Sequence, residues 1–309
     1  MEAIVYEEFG GPEVLRFTET EDVRPGPGQI RVAVRAAGIN PMDHKIRNGW
    51  MEAAFPTRLP AVPGSEFAGV VEETGEGVTA FEPGDEVLGR SVTGAYARYA
   101  LADADAVAPK PDGLGWEEAA ALPVATATAA RVLDELAVTA GDTLLLHGAA
   151  GAVGSAAVQL AAARGATVIG TASPANHDYL RVLGAFPVEY GEGLVERVRA
   201  AAPEGVDAVF DAAGRGALAD SVELRGGTSD RIVTIADPDA AAYGVAFSGG
   251  GGNRPGEGAR LAEFARLASV GELRIPVTRT FALRDAARAQ ALSEAGHVRG
   301  KLVLLPGER

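Results

Sequence analysis

Short apolar runs rich in β-branched residues and broken by glycine and proline fill the first third of the chain, at residues 3–6, 29–36, 66–74, 85–89 and 95–100. Runs of that length between turn residues predict strands, and their succession without helical periodicity predicts a mostly antiparallel β domain. From about Trp116 the pattern changes. Apolar runs at 143–147, 167–171, 207–211 and 231–235 alternate with Ala-rich stretches of helical character, which predicts a parallel sheet with crossover helices. One more helix and strand-like stretches at 275–281 and 301–305 close the chain. The Ala-rich run 119–130 is interrupted by Pro123 and is shorter than a membrane span, so it predicts a buried helix. The segment FSGGGGNRPGEG favours no regular element, because glycine loses backbone entropy in helix and strand alike. It reads as a loop, either a solvent-exposed connection or a lid over a bound substrate.

Composition narrows the picture. A chain of 309 residues, 47% hydrophobic, is long enough for two domains with buried cores. Its formal charge of -14, with no local run of Lys or Arg, argues against a nucleic-acid partner. Cysteine is absent, which removes disulfides and thiolate metal ligands, and there are four histidines. Acidic residues stand at the N-terminus where a signal peptide needs basic ones, and no apolar run reaches membrane-spanning length. A soluble, cytoplasmic protein without a membrane partner is the expectation.

The sharpest local chemistry lies in DTLLLHGAAGAVGSAAVQLAAARG. A buried strand runs into Gly148 and Gly151, then through Ala152 and Val153 to Gly154 and an Ala-rich helix. Glycines in that context permit a tight turn and let backbone N–H groups approach a pyrophosphate at the helix N-terminus, although the spacing is GxxGxxG rather than GxGxxG. An NAD-selective site places an acid at the end of the next strand. Here Ser173 stands there, followed by Asn176 and His177, so a 2′-phosphate meets donors rather than a carboxylate and NADPH is the expected cofactor. Ser173 before Pro174 also fits a helix cap. The third strand ends at Asp211, Ala212, Ala213 and Gly214, and the fourth at Val233, Thr234 and Ile235. Small residues there either leave room for adenosine and the nicotinamide ribose or simply end strands. His147 reads as core packing at the strand end.

Taken together, AAGINPMDHKIRNG, VPGSEFAGVV, FEPGDEVLG, GAYARYA, LPVATATAARVL, the glycine turn, LGAFPVEY and GHVRGKLVL resemble the zinc-free quinone oxidoreductase branch of the medium-chain dehydrogenase/reductase superfamily, over nearly the whole chain. The resemblance implies a GroES-like β-rich catalytic domain from residues 1–121 and 260–309, and a Rossmann doubly wound parallel sheet binding NADP in 122–259. It implies that Tyr190 joins Ser173 in the phosphate pocket, with Asn176 or His177 where relatives often carry lysine; a half-buried strand tyrosine is the alternative. It also implies a homodimer through edge strands of the cofactor domain.

Zinc-dependent relatives supply a Cys and a His at the positions held here by Asn40 and Ser65. Neither is a usual zinc ligand and Glu66 alone is insufficient, so no metal is expected. Asn40, Asp43 and Lys45 match the NPxDxK pattern at the substrate site of zinc-free members. The resemblance gives Asn40 a substrate- or nicotinamide-orienting role and Lys45 an oxyanion-stabilising or proton-donating one, with solvent an equal proton source. For Asp43 helix capping is the favoured role. Thr128 aligns with a threonine beside the nicotinamide, or else bonds back to its own helix. His44 reads as a surface residue, and Lys301 as a family feature without an assigned role. The implied partner is a small molecule, a quinone, enone or enal. An enoyl or alkenal reductase of a biosynthetic pathway and a non-catalytic NADPH-binding homologue are the rival expectations.

Overall fold

The computed structural model describes residues 1–250 and 256–307. Contacts divide the chain into two units, one formed by Met1–Val124 and the C-terminal segment, the other beginning at Ala125 and running to the glycine-rich segment. The lid-or-connection question for that segment rests on residues 251–255, which lie outside the described residues.

The first unit opens with an antiparallel ribbon of β1 (Glu2–Val5) and β2 (Arg16–Glu19). Next come β3 (Gln29–Ile39), α1 (Pro41–Arg47), β4 (Glu66–Thr74), β5 (Glu86–Arg90), β6 (Tyr99–Asp103), β7 (Val107–Pro109) and α2 (Trp116–Ala120). β3 alternates half-buried and buried positions over its first six residues and is then almost wholly buried, because it pairs with β4 on one side and with other strands on the other. The strand expected at 95–100 is displaced to Tyr99–Asp103. Gly94 turns at φ +93°, and the amides of Ala95 and Tyr96 bond to the Pro63 and Gly64 carbonyls instead of joining a ladder. β2 and β7 were not legible: β2 is exposed throughout, and β7 is three residues long.

α3 (Pro123–Glu135) leads into the second unit, with Pro123 at its start rather than inside it. The elements that follow are β8 (Thr143–His147), α4 (Ala152–Ala163), β9 (Thr167–Thr171), α5 (His177–Leu183), β10 (Ala185–Val188), α6 (Leu194–Ala201), β11 (Ala208–Asp211), α7 (Leu218–Leu224), β12 (Ile232–Thr234) and β13 (Ala246–Phe247). All six strands are parallel, in the order β10-β9-β8-β11-β12-β13. Numbered within the unit this is 3-2-1-4-5-6, the Rossmann order, whose switch point lies between β8 and β11. Leu144, Leu145 and Leu146 of β8 and Val209 and Phe210 of β11 are fully buried, as a sheet covered on both faces requires.

The chain then returns to the first unit with α8 (Glu257–Ser269), β14 (Val277–Ala282), α9 (Ala286–Ala295) and β15 (Lys301–Leu305). β15 runs parallel to β14 and antiparallel to β3, giving the order β14-β15-β3-β4-β5-β7 with β6 also on β3. Among the described residues, no helix is long and apolar enough to cross a membrane.

Candidate active site

In the first unit, the register of three strands gathers polar groups at one sheet end. Ile39 pairs with Leu302 and Ala37 with Phe67, so Asn40 following β3, Lys301 opening β15 and Glu66 opening β4 become neighbours. Lys301 Nζ donates to Glu66 Oε1 at 2.6 Å and to Asn40 Oδ1 at 2.8 Å. Asn40 Nδ2 donates to the same Glu66 oxygen at 2.8 Å and, weakly, to Ser65 Oγ at 3.4 Å. Glu66 Oε2 accepts the Val124 N–H at 2.7 Å. All three side chains are buried, so the charges are held by each other and by these hydrogen bonds. Gly38 makes room for them, since a Cβ there would lie 2.4 Å from Glu66 Oε1 and 2.7 Å from the Ala120 carbonyl oxygen.

Asp43 sits one turn into α1 and caps it. Its Oδ2 accepts both the Asn40 backbone N–H at 2.8 Å and the Tyr96 hydroxyl at 2.7 Å. Burial pushes its carboxyl from 3.8 up to about 6, against the two donors that favour the ionised form. Between about pH 4 and pH 6 the folded protein therefore keeps a proton that the unfolded chain has released. This group's contribution to stability is full below that window and falls as pH rises through it, by about 3 kcal/mol for a shift of roughly two units. Asp43→Asn preserves an acceptor for both donors and removes the titration. It is expected to be at least as stable as wild type at pH 7 and to lose that advantage towards pH 4, read by urea unfolding at several pH values. An unchanged difference across the range contradicts the assignment.

Lys45 lies half-buried on the same helix. His44 corrects the expectation of a surface residue: it is 7% exposed, its ring edge packs on Trp50 at 6.4 Å between centroids, and its Nδ1 is buried without a hydrogen-bond partner. A seven-residue helix is too short for hydrophobic periodicity to reveal which face is covered.

These residues do not fit a zinc ion. The single carboxylate at the place of interest already holds an ammonium 2.6 Å away, and a divalent cation among the same groups would meet that charge. Asn40 and Ser65 supply only an amide and a hydroxyl. Among the described residues, no group of three or more His, Asp or Glu side chains is arranged to hold a metal.

In the second unit the glycine turn stands at the switch point. Gly148 follows β8 at φ +74°, and a Cβ on it would lie 3.3 Å from the Ala213 backbone and side chain. Gly154 lies against the turn, its Cβ position 2.2 Å from the Gly148 carbonyl oxygen, so only glycine lets α4 start this close to β8. Gly151 differs. It caps α4, and its Cβ position meets nothing nearer than 3.5 Å. The N–H groups of Ala152, Val153 and Gly154 form the first turn of α4, where no preceding helical carbonyl can accept them. Free donors, an open approach at Gly151 and a helix N-terminus fit a dinucleotide pyrophosphate.

The neighbouring strand ends are tied together by Asp211. Its Oδ1 accepts the Ala213 and Gly214 N–H groups at 2.9 and 3.0 Å, and its Oδ2 the Thr234 hydroxyl at 2.8 Å. Ala212, Ala213 and Ile235 are half-buried beside it. His147 is core, its Nε2 3.0 Å from Ser221 Oγ, and burial depresses its pKa. Thr128 is half-buried on α3, in contrast to fully buried Thr126.

Thr171 of β9 pairs with Val188 of β10, so Ser173 and Tyr190 each stand two residues past the ends of adjacent strands. Tyr190 is exposed, not the half-buried strand aromatic of the alternative. Ser173 precedes a short 3-10 turn without capping it through its side chain; its Oγ accepts from Asn176 Nδ2 at 3.1 Å. His177 Nε2 faces the Ala172 carbonyl at 3.3 Å. Sequence reasoning missed the Glu66–Lys301 pair, Gly38 and the Asp211 hub. A charged residue heading an otherwise apolar strand, as in EFAGVV and KLVLL, was the available signal.

Two family models match the chain: the alcohol dehydrogenase GroES-like domain over residues 26–112 and zinc-binding dehydrogenase over residues 183–304. A quinone oxidoreductase of Mus musculus is 43% identical over 178 residues, 56% of this chain and 52% of that protein, so the match spans about half the length of that relative. The pikromycin polyketide synthase component PikAII of Streptomyces venezuelae is 40% identical over 298 residues, covering 90% of this chain and 8% of that protein. Among solved structures, the quinone oxidoreductase from Coxiella burnetii has a TM-score of 0.87 at 34% identity, covering 99% of each chain. Escherichia coli quinone oxidoreductase complexed with NADPH has a TM-score of 0.85 at 27% identity, covering 99% of this chain and 100% of that one.

Proposed function

The chain belongs to the quinone oxidoreductase-like branch of the medium-chain dehydrogenase/reductase superfamily, and from that premise we propose that it is a metal-independent, NADPH-dependent reductase of quinones or α,β-unsaturated carbonyl compounds. The observation that carries the proposal is the glycine turn at the β8/β11 switch point, open at Gly151 and closed at Gly154. The unit that begins at Ala125 serves as the cofactor domain, and Met1–Val124 with the C-terminal segment as the catalytic one, a few residues from the bounds 122–259, 1–121 and 260–309 expected from the sequence.

NADPH, when bound, supplies the hydride. Ala152, Val153 and Gly154 would hold its pyrophosphate through backbone N–H groups, Gly148 and Gly151 would shape the turn, their own N–H groups already donating to Thr171 Oγ1 and the Gly148 carbonyl, and Ala212, Ala213 and Ile235 would leave space for adenosine and ribose. Ser173 and Tyr190, with Asn176 and His177 behind Ser173, serve the 2′-phosphate, and Thr128 orients the nicotinamide. Asn40 has one amide hydrogen fixed on Glu66 and the other only 3.4 Å from Ser65 Oγ, so that second hydrogen turns to a substrate oxygen. Lys45 stabilises charge developing on that oxygen or delivers the proton. Asp43 holds α1 in place. Without a Lewis acid to polarise a simple ketone, the acceptor is a conjugated one. The exposed edge strand β13, with Phe247, suits pairing of two copies.

A second reading, reduction of an enoyl group in a biosynthetic pathway, is favoured by the match to the polyketide synthase component over 90% of the chain, against 56% for the quinone oxidoreductase of mouse. Mixing the protein with NADPH and a panel of quinones, enones, 2-alkenals and enoyl thioesters, and following nicotinamide absorbance, decides between them. Turnover is expected with at least one class. Tight NADPH binding with no turnover on any acceptor assigns the chain to a non-catalytic homologue.

A further inference from the structure

Asn176 and His177, which stand where relatives often carry a lysine, are turned towards Ser173 and the Ala172 carbonyl. The segment that carries Tyr190 is itself acidic, with Glu189, Glu192 and Glu196 within eight residues. A 2′-phosphate brought to Tyr190 therefore enters a segment of negative formal charge, which a neighbouring cation would offset.

Arg197 is a cation held against that segment. It lies half-buried on α6, and its guanidinium reaches back over the Tyr190 segment: Nε donates to the Glu189 carbonyl at 2.9 Å, and Nη2 to the Tyr190 and Gly191 carbonyls at 3.3 and 3.2 Å. Three successive carbonyls on one guanidinium fix the backbone just beyond β10, and so fix where Tyr190 stands relative to Ser173. The remaining nitrogen, Nη1, makes no hydrogen bond among the described residues; it lies 3.1 Å from the place a Cβ on Gly193 would take. Gly193, at φ +74°, caps α6 and leaves that space clear.

We propose that Arg197 is a specificity-determining residue for the 2′-phosphate, holding the Tyr190 segment through three backbone carbonyls and supplying a permanent positive charge. The proposal rests on the NADPH reading. A planar fork is suited to this double duty, because it grips several carbonyls at once while its charge stays delocalised and permanent.

The test is calorimetric titration of the full chain with adenosine 2′,5′-bisphosphate and with adenosine 5′-monophosphate, for wild type, Arg197→Gln and Arg197→Lys, with thermal melting as a check on folding. Wild type is expected to prefer the bisphosphate. Arg197→Gln is expected to weaken the bisphosphate by about tenfold while moving the monophosphate less than about twofold. Arg197→Lys, which keeps the charge and loses the three-carbonyl grip, falls between them. Equal weakening of both ligands overturns the proposal, because it marks a purely structural arginine, and so does no change in either. A wild-type protein that binds both equally overturns the NADPH reading itself, and the Arg197 proposal with it.

Discussion

Lys301→Met is expected to lower the unfolding free energy by about 3–5 kcal/mol, although it places an apolar side chain of similar length at the head of an apolar strand. Lys301 is 2% exposed and Glu66 is fully buried, so the change leaves a carboxylate inside the sheet end without its cation. Asn40 and the Val124 N–H still donate to Glu66, which limits the loss but does not replace a charge. Glu66→Gln alone is costly for the mirrored reason, a buried ammonium facing only amide oxygens. The double variant Lys301→Met with Glu66→Gln removes both charges and keeps one acceptor oxygen, for either Asn40 or the Val124 N–H, where Glu66 offers one to each. It is expected to recover part of the stability, because one buried donor is left facing the new amide nitrogen. Urea unfolding of the four proteins gives the coupling directly; strictly additive losses would show that the two groups do not act as a pair.

The second large effect separates two glycines three residues apart. Gly154→Ala forces a methyl against the Gly148 carbonyl oxygen, at a Cβ distance of 2.2 Å, so α4 must move off the turn. The expected cost is at least about 1–3 kcal/mol, together with loss of NADPH binding. Gly151→Ala meets only an ordinary contact at 3.5 Å and should fold within about 1 kcal/mol of wild type. Its methyl instead stands where a pyrophosphate must approach the backbone, so NADPH affinity is expected to fall about tenfold or more. Melting temperature and NADPH titration read the two separately. A Gly151→Ala protein that binds NADPH normally is incompatible with a cofactor at this turn.

Much of this architecture was legible because parallel strands buried on both faces read as short continuous apolar runs, as LLL of β8 and AVF of β11 do. β10 was not, since Pro187 and exposed Phe186 break such a run in an edge strand. The shift of the 95–100 strand came from backbone bonding to residues about thirty positions earlier, which no local pattern reports. The glycine turn was legible through its strand and helix context, and the structure adds which glycine is steric and which is open. Lys301 and Glu66 each stand at the head of an apolar strand, yet 235 positions separate them and only sheet register brings them together. Arg197 carried no signal at all, because its partners are backbone carbonyls and any sequence supplies those.

The proposed reductase draws on NADPH without a metal, with Asn40, Glu66 and the Lys301 ammonium bonded together where zinc-dependent relatives hold theirs. The most direct measurement is the acceptor-panel turnover repeated on protein dialysed against a strong chelator, with zinc quantified by elemental analysis in the same samples. NADPH consumption unchanged at sub-stoichiometric zinc is the predicted result. Activity that disappears with chelation and returns with one equivalent of zinc would contradict the account.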